Sequence, residues 1–415
     1  MRFAIVGSGI AGLAAAHALA GAHDVVVYEA AAHAGGHVYT VDAGGVAVDM
    51  GFIVHNRDNY PRFCALLDDL GVATRPTSMA FSVSLPRDDL EWGSASLGAM
   101  FADRRRLADR RHWRFLVEVV RFLRRARRDL GGALVARASL DDYLEARRVH
   151  ADVRDRFVVP LAAALWSLAP DRCGAFPAET YLRFLDQHGM LRAARPLPWR
   201  TIDGGSKVYV DALVARLRAR GRFELRLATP VTAVHRDARG ATIVAGGLDD
   251  RFDRVIVATH ADTALALVDA PSDGERRVLG AFRYSSNRTV LHRDRAALPR
   301  AGALHAAWNY VGDPDTARVA VTYSMTRLQG LPDVPYLVTL NPRREPAGGA
   351  LHEVWLDHPQ FDRAALDAQP ELARVGAAHR TYYAGAHTGF GFHEDGMRSG
   401  LAAAARALAD EVVAR

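Results

Sequence analysis

With 415 residues, 49% of them hydrophobic, the chain is too long for one ordinary core and long enough for two, so a soluble two-domain enzyme is the starting expectation. Lys+Arg 53 against Asp+Glu 47 leaves a formal charge of +6, but no basic patch is interleaved with base-stacking aromatics, which excludes nucleic acid as the expected partner. Cys64 and Cys173 lie far apart with no CxxC or Cys/His pair, so neither a disulfide framework nor a metal site is expected, and a reducing cytoplasm fits.

Arg2–Val6 reads as a short buried strand, residues 12–21 as an Ala-rich helix and residues 25–29 as a second apolar strand, a right-handed parallel crossover. Residues 4–20 have the apolar, Ala-rich look of a signal peptide, but regularly spaced glycines inside them argue against one. A helix follows over residues 60–70. Residues 72–85 and 90–92 are expected to pair as strands around the turn Pro86-Arg87-Asp88-Asp89. From residue 97 to about 192 the pattern is mainly helical, broken near Gly131-Gly132 and at Pro160, Pro170 and Pro177, as a substrate cap would be. Within it, residues 104–128 are dense in Arg and carry Trp113, Phe115, Leu116, Val119, Val120, Phe122 and Leu123 on roughly one face. That pattern suits a solvated cap helix, and also a helix lying at the inner face of an anionic membrane.

After Gly204-Gly205 the pattern returns to a helix over 209–220, then strands at 225–227, 231–235, 241–245 and 254–258. Strands at 289–291, 319–323, 336–340 and 353–356 predict an antiparallel sheet, and a strand at 381–384 with a helix over 397–414 closes the chain. The fold expected is α/β. A Rossmann-like dinucleotide domain is assembled from residues 1–60, 200–268 and 375–415, and a substrate domain of helices and an antiparallel sheet from 61–199 and 269–374.

Gly7-Ser8-Gly9-Ile10-Ala11-Gly12 is a GxGxxG placed where a strand ends and a helix begins. In that context Gly7 permits the tight turn, Gly9 lets the backbone approach a pyrophosphate, and Gly12 lets helix and strand pack closely. The helix N-terminus then offers unpaired N–H groups to the phosphates. Glu29, followed by Ala30, ends the second strand, where a carboxylate accepts hydrogen bonds from ribose hydroxyls.

The motif alone does not choose between NAD and FAD; the segments that follow bear on it. Gly35-Gly36-His37 after Glu29 resembles the Glu-x(5)-Gly-Gly-Arg segment of the FAD enzymes that include amine oxidases, phytoene desaturases and protoporphyrinogen oxidases. His37 stands where that group has Arg, which weakens the phosphate contact. The same resemblance covers Asp49-Met50-Gly51-Phe52, Asp203-Gly204-Gly205, the strand around Val231 that would lie near the adenine, and the strand ending at Ala258-Thr259. It also covers Gly385-Ala386, running through Phe392 and His393 to Gly396 and the last helix. It implies noncovalent FAD, with Phe392 as a wall aromatic and His393 as the side chain nearest the flavin, either as a catalytic residue or as a helix-capping one. An acidic residue usual after the first glycine is replaced by Ala386 and His387.

Over the whole chain the combination of Gly35-Gly36-His37, Gly51-Phe52-Ile53-Val54, residues 161–167, Ala307-Trp308-Asn309-Tyr310 and residues 389–396 is similar to a bacterial family of predicted NAD/FAD-binding proteins. These accompany cyclopropane-fatty-acid-synthase-like methyltransferases, and a similar domain is fused to such synthases in plants. The resemblance implies oxidation of an unsaturated, methylated or cyclopropane acyl chain, with O2 or another acceptor taking the electrons. An amine oxidase, an isoprenoid or porphyrin dehydrogenase, and a noncatalytic flavoprotein partner of a lipid methyltransferase stay open. Lys207 is the one lysine, so a lysine-held water beside a flavin loses support.

Overall fold

The computed structural model describes residues 1–191, 197–312 and 320–413. Arg192, Val319 and Ala414, each the end of an expected element, lie outside them.

A five-stranded parallel sheet runs in the order Phe223–Arg226, Asp24–Tyr28, Arg2–Val6, Arg254–Val257, Thr381–Tyr383. Its central strands are apolar almost without interruption because both faces are covered. On one face lie the helices Ile10–Leu19, Lys207–Ala219 and His393–Val413, contributing Leu13, Leu213 and Ala403 to a shared core. On the other lie Ala261–Leu267, Asp273–Leu279 and a small antiparallel sheet of Val231–Asp237, Gly240–Ala245 and Leu248–Phe252. Strands close in space thus come from three stretches of chain far apart in sequence.

A seven-stranded sheet, in the order His352–Gln360, Arg283–His292, Leu337–Leu340, Val321–Ser324, Trp308–Val311, Phe81–Leu85, Leu90–Gly93, is antiparallel except where Trp308–Val311 runs parallel to Phe81–Leu85. Helices between residues 110 and 187 bury Phe122, Tyr181 and Leu182 against Phe81, Val83 and Tyr310 of this sheet. The hairpin Thr40–Asp42/Ala47–Asp49 and the chain after it lay Val48, Met50 and Ile53 on Leu291 and Val338.

Four expectations shift. The strand over 72–85 divides: Thr74–Pro76 pairs with Arg200–Ile202 in a separate small sheet, and Phe81–Leu85 alone pairs with Leu90–Gly93. Pro76, with no N–H to give, ends the first piece. Leu248–Phe252 is a strand that its Asp249, Asp250 and Arg251 hid, being an edge strand with exposed side chains. Arg283–His292 begins well before residue 289 because its polar start pairs with His352–Gln360, and the Asn287 amide donates to the Ser285 carbonyl and hydroxyl within the strand. The last helix starts at His393, not Met397; Asp395 in its first turn accepts the N–H groups of Phe390 and Phe392 and so holds the approach to it.

Candidate functional site

The site begins where Arg2–Val6 turns into Ile10–Leu19. Gly7 takes φ +98, and a Cβ there would meet the Ala258 carbonyl oxygen at 3.0 Å, so Ala258 and Thr259 wall the turn. A Cβ on Gly12 would lie 1.9 Å from the Gly7 carbonyl oxygen, so helix and turn can touch only through glycine. Gly9 is different: a Cβ there would have nothing within 4 Å. The helix that starts beside it has no capping side chain and no acid in its first turn. Its free N–H groups and positive dipole end therefore open onto empty space, the setting an anion fills. Ile10 and Ala11 turn their side chains into the core and contribute backbone alone.

Glu29 stands at the far end of this space. Its carboxylate accepts Ser8 N–H at 2.9 Å, the Ser8 hydroxyl at 2.6 Å and Ala31 N–H at 2.9 Å. A carboxylate has about four acceptor positions, so one is left for a ribose hydroxyl. Ser8 is fully buried, so it orients Glu29 rather than reaching outward, and Ala30 is exposed. Thr229 N–H bonds to the Glu29 carbonyl, which places half-buried Val231 two residues beyond the same corner. Gly35 and Gly36, both with positive φ, fold over the turn, and a Cβ on Gly36 would come 3.1 Å from the Gly9 Cα.

His37 follows the two glycines. Its Nε2–H donates to the Asp357 carbonyl at 3.0 Å, and the rings of His260 and His358 lie 5.8 Å away. Burial, with His260 beside it, holds His37 down at about 4; burial and His37 hold His358 at about 3. A neutral ring cannot supply the charge of the arginine it replaces. His37 instead ties the glycine loop to the strand His352–Gln360. Neither His260 nor His358 carried a sequence signal, since lone histidines are read equally well as core.

Gly51 is required by a backbone approach, because a Cβ would sit 2.1 Å from the His37 carbonyl oxygen. Phe52, next in the chain, stacks on His393 at 3.8 Å and 12°. His393 shares a 2.8 Å hydrogen bond with Tyr209 and meets Phe63 edge-on; burial first, then His55 and His37, hold it at about 3. One face of the ring is therefore covered by Phe52 and one nitrogen is bonded to Tyr209. Phe392 stacks on Phe184 at 4.8 Å; Phe184 stacks on His188 at 3.7 Å, and His188 on Trp199 at 5.9 Å. Trp199 reaches Tyr60, and Tyr60 reaches Phe52. The result is a continuous aromatic wall between the helical segment and the parallel-sheet side. Phe52, His188, Trp199, Phe390 and Phe392 are partly buried rather than sealed in the core. Trp308 and Tyr323, in edge contact at 5.3 Å, are likewise partly buried on the large sheet.

The acids near this wall are occupied. Glu394 accepts the N–H groups of Arg62 and Phe63 and pairs with Arg62; Asp395 pairs with Arg398. Gly385 N–H donates to the Ser399 hydroxyl oxygen at 3.1 Å, and Ala386 and Gly396 continue into the last helix, where a Cβ on Gly396 would press Ile10 at 2.8 Å. Lys207 is exposed and pairs with Asp211, away from the wall. No cluster of His, Cys, Asp or Glu among the described residues is arranged to hold a metal.

Residues 10–291 match the flavin-containing amine oxidoreductases. The chain belongs to that family. It is an FAD-dependent oxidoreductase. Putrescine oxidase bound to putrescine shares the fold over 100% of this chain and 99% of its own, with TM-score 0.71 and 16% identity. So do a CLA-producing fatty acid isomerase from P. acnes (99% and 98%, TM-score 0.70, 17% identity) and cyclohexylamine oxidase from Brevibacterium oxydans IH-35A (100% and 99%, TM-score 0.66, 16% identity). No curated sequence matches the chain. The open space at Gly9, the uncapped helix and the spare capacity of Glu29 suit the adenosine and pyrophosphate of FAD. When bound, its isoalloxazine supplies the redox step, leaving position, water exclusion and electrostatics to the chain.

Asp49, fully buried, fastens the glycine loop's neighbour to the start of Lys207–Ala219. It accepts Thr40 Oγ1 at 2.5 Å and Ser206 N–H at 2.8 Å, and Ser206 Oγ lies 2.9 Å from it and 2.8 Å from the Phe52 carbonyl. One hydroxyl hydrogen cannot serve both oxygens. Burial outweighs the donors and pushes Asp49 up to about 6. The proton is thus held more tightly folded than unfolded: the stabilisation is complete at acid pH and is lost as pH rises through about 6, on the order of 3 kcal/mol. Thermal melts between about pH 4 and 7 should show this decline in the wild type, and Asp49→Asn should flatten it. Parallel profiles would remove Asp49 as its source.

Proposed function

We infer that the enzyme oxidises a hydrophobic substrate, a modified fatty acyl chain, against the aromatic wall, with FAD held in the three segments read as the dinucleotide domain. Gly7 to Gly12, Glu29, Gly35, Gly36 and Gly385 would form its cradle, Ala258 and Thr259 its side. Phe392 would bound the substrate, and His393 would fix Phe52 rather than exchange protons. The observation carrying this reading is the wall itself: its side chains are aromatic, while Glu394 and Asp395 beside it are already bonded to backbone and arginine. A cationic amine needs an anionic or strongly polar anchor, and burying one unpaired costs several kcal/mol. An acyl chain needs none.

The fold is shared with a fatty acid isomerase as well as with amine oxidases, so both substrate classes belong in the test. Anaerobic holoenzyme is mixed with phospholipids bearing unsaturated, methylated or cyclopropane chains, and separately with putrescine. Loss of the visible flavin absorbance with one lipid class is expected. Loss with putrescine alone overturns the reading. Bleaching by dithionite only, in a protein that co-purifies with a lipid methyltransferase, would favour the noncatalytic partner. A cytoplasmic enzyme working at the inner membrane face fits this reading; among the described residues no helix is long and apolar enough to cross a membrane.

A further inference from the structure

The helix Arg110–Asp129 divides its residues sharply. Phe115, Phe122 and Ala126 are buried in the cap. On the outer side Trp113 (48% exposed), Val117 (46%) and Val120 (40%) stand in solvent, facing Leu97 (77%) and Leu107 (54%) from the preceding segment. These side chains line one open groove of about 1150 Å³. At Ala99 and Ala303 it meets a smaller cavity of about 370 Å³ that runs inward to Ala307, the neighbour of Trp308. Exposed apolar residues scattered singly are ordinary, whereas a contiguous set in a groove marks a contact surface.

The rim is basic. Arg104, Arg121 and Arg124 border the groove. Arg121 pairs with Glu118 on its own helix and Arg111 with Asp152. Among the described residues Arg104, Arg110, Arg114, Arg124, Arg127 and Arg128 form no ion pair. Of these Arg104 and Arg124 line the groove, and unpaired arginines beside an apolar trough complement a surface with negative headgroups outside and hydrocarbon beneath. A second copy of the chain meeting the groove with the same face would set the arginines against one another. An acidic protein would satisfy the rim and leave the five apolar side chains wet.

We propose that this groove is the face by which the protein docks on an anionic phospholipid bilayer. Trp113, Val117, Leu97 and Leu107 enter the headgroup boundary while the arginines meet lipid phosphates. The proposal does not depend on the substrate, because it concerns the outer side of the cap.

Holoenzyme is sedimented with vesicles of mixed phosphatidylglycerol and phosphatidylcholine and with vesicles of phosphatidylcholine alone. Binding to the anionic vesicles is expected, weaker by about tenfold or more on neutral vesicles and at about 0.5 M salt. The double variants Trp113→Glu/Val117→Glu and Arg121→Glu/Arg124→Glu should each lose about tenfold or more, with flavin spectrum and melting temperature unchanged. Absence of binding to anionic vesicles, or equal binding to neutral ones, overturns the proposal. So does a wild-type dimer in velocity sedimentation that Val117→Glu splits, since the groove is then a self-interface.

Discussion

Gly9→Val is expected to give a folded and colourless protein, with FAD affinity lower by about a hundredfold or more, or roughly 3 kcal/mol, and an apo-protein melting temperature close to that of the wild type. The backbone at Gly9 has φ −63 and ψ 176, a conformation open to any residue. A Cβ would touch nothing within 4 Å, so the first atom of a new side chain meets no part of the folded chain. That open space lies before the uncapped helix, where a pyrophosphate would draw close to the backbone. The same substitution at Gly12 would fail differently, because its Cβ falls 1.9 Å from the Gly7 carbonyl oxygen and the turn itself cannot form. Equilibrium titration of apo-protein with FAD, followed by quenching of flavin fluorescence, separates the two cases. Full retention of FAD by Gly9→Val would move the cofactor away from this turn. An unfolded Gly9→Val would mean that the space is needed by the chain itself.

The contrast between these glycines shows what could be read in advance. The GxGxxG and Glu29 are legible because their chemistry is local: turn, helix start and strand end follow one another within a single crossover. Gly35 and Gly36 are legible as a pair through their resemblance to the Glu-x(5)-Gly-Gly segment. Their partner is not, since the contact with Gly9 depends on a loop folding back across the sheet. The aromatic wall is harder still. Its six rings come from four parts of the chain: the resemblance marks Phe392 as a wall aromatic and Phe52 as part of a cofactor segment, whereas Tyr60, Phe184, His188 and Trp199 each read alone as ordinary core. His393 stands out because the matching stretch of amine oxidases passes beside the flavin, but neither Phe52 stacked on it nor Tyr209 bonded to it can be read from spacing. Strand boundaries were misjudged where polar residues sit inside strands, as at Ser285, Ser286 and Asp249 to Arg251, because their partners lie on other strands or at an exposed edge.

The last helix makes the point in energetic terms, through Gly400. It crosses Ile10–Leu19 so closely that a Cβ on Gly400 would lie 2.0 Å from the Ala11 carbonyl oxygen and 2.8 Å from its carbon. Ala11 is backbone in the first turn of a helix whose next residue, Gly12, is already pressed against Gly7, so neither partner can retreat without moving the cradle. Gly400→Ala is therefore expected to cost about 3 kcal/mol or more and to weaken FAD binding as well, although alanine is the better helix former. At Gly396, one turn earlier, the nearest atom to an added Cβ is Ile10 Cγ2 at 2.8 Å, a side-chain methyl rather than backbone, which a small shift of that side chain relieves. Gly396→Ala should cost about 1 kcal/mol and leave FAD affinity nearly intact. Thermal melts and FAD titrations of the two variants should rank them in that order. If Gly400→Ala melts with the wild type, the helices do not meet backbone to backbone. Equal losses at the two positions would mean that crowding along the whole crossing, rather than the single contact on Ala11, sets the helix position and through it the mouth of the FAD cradle.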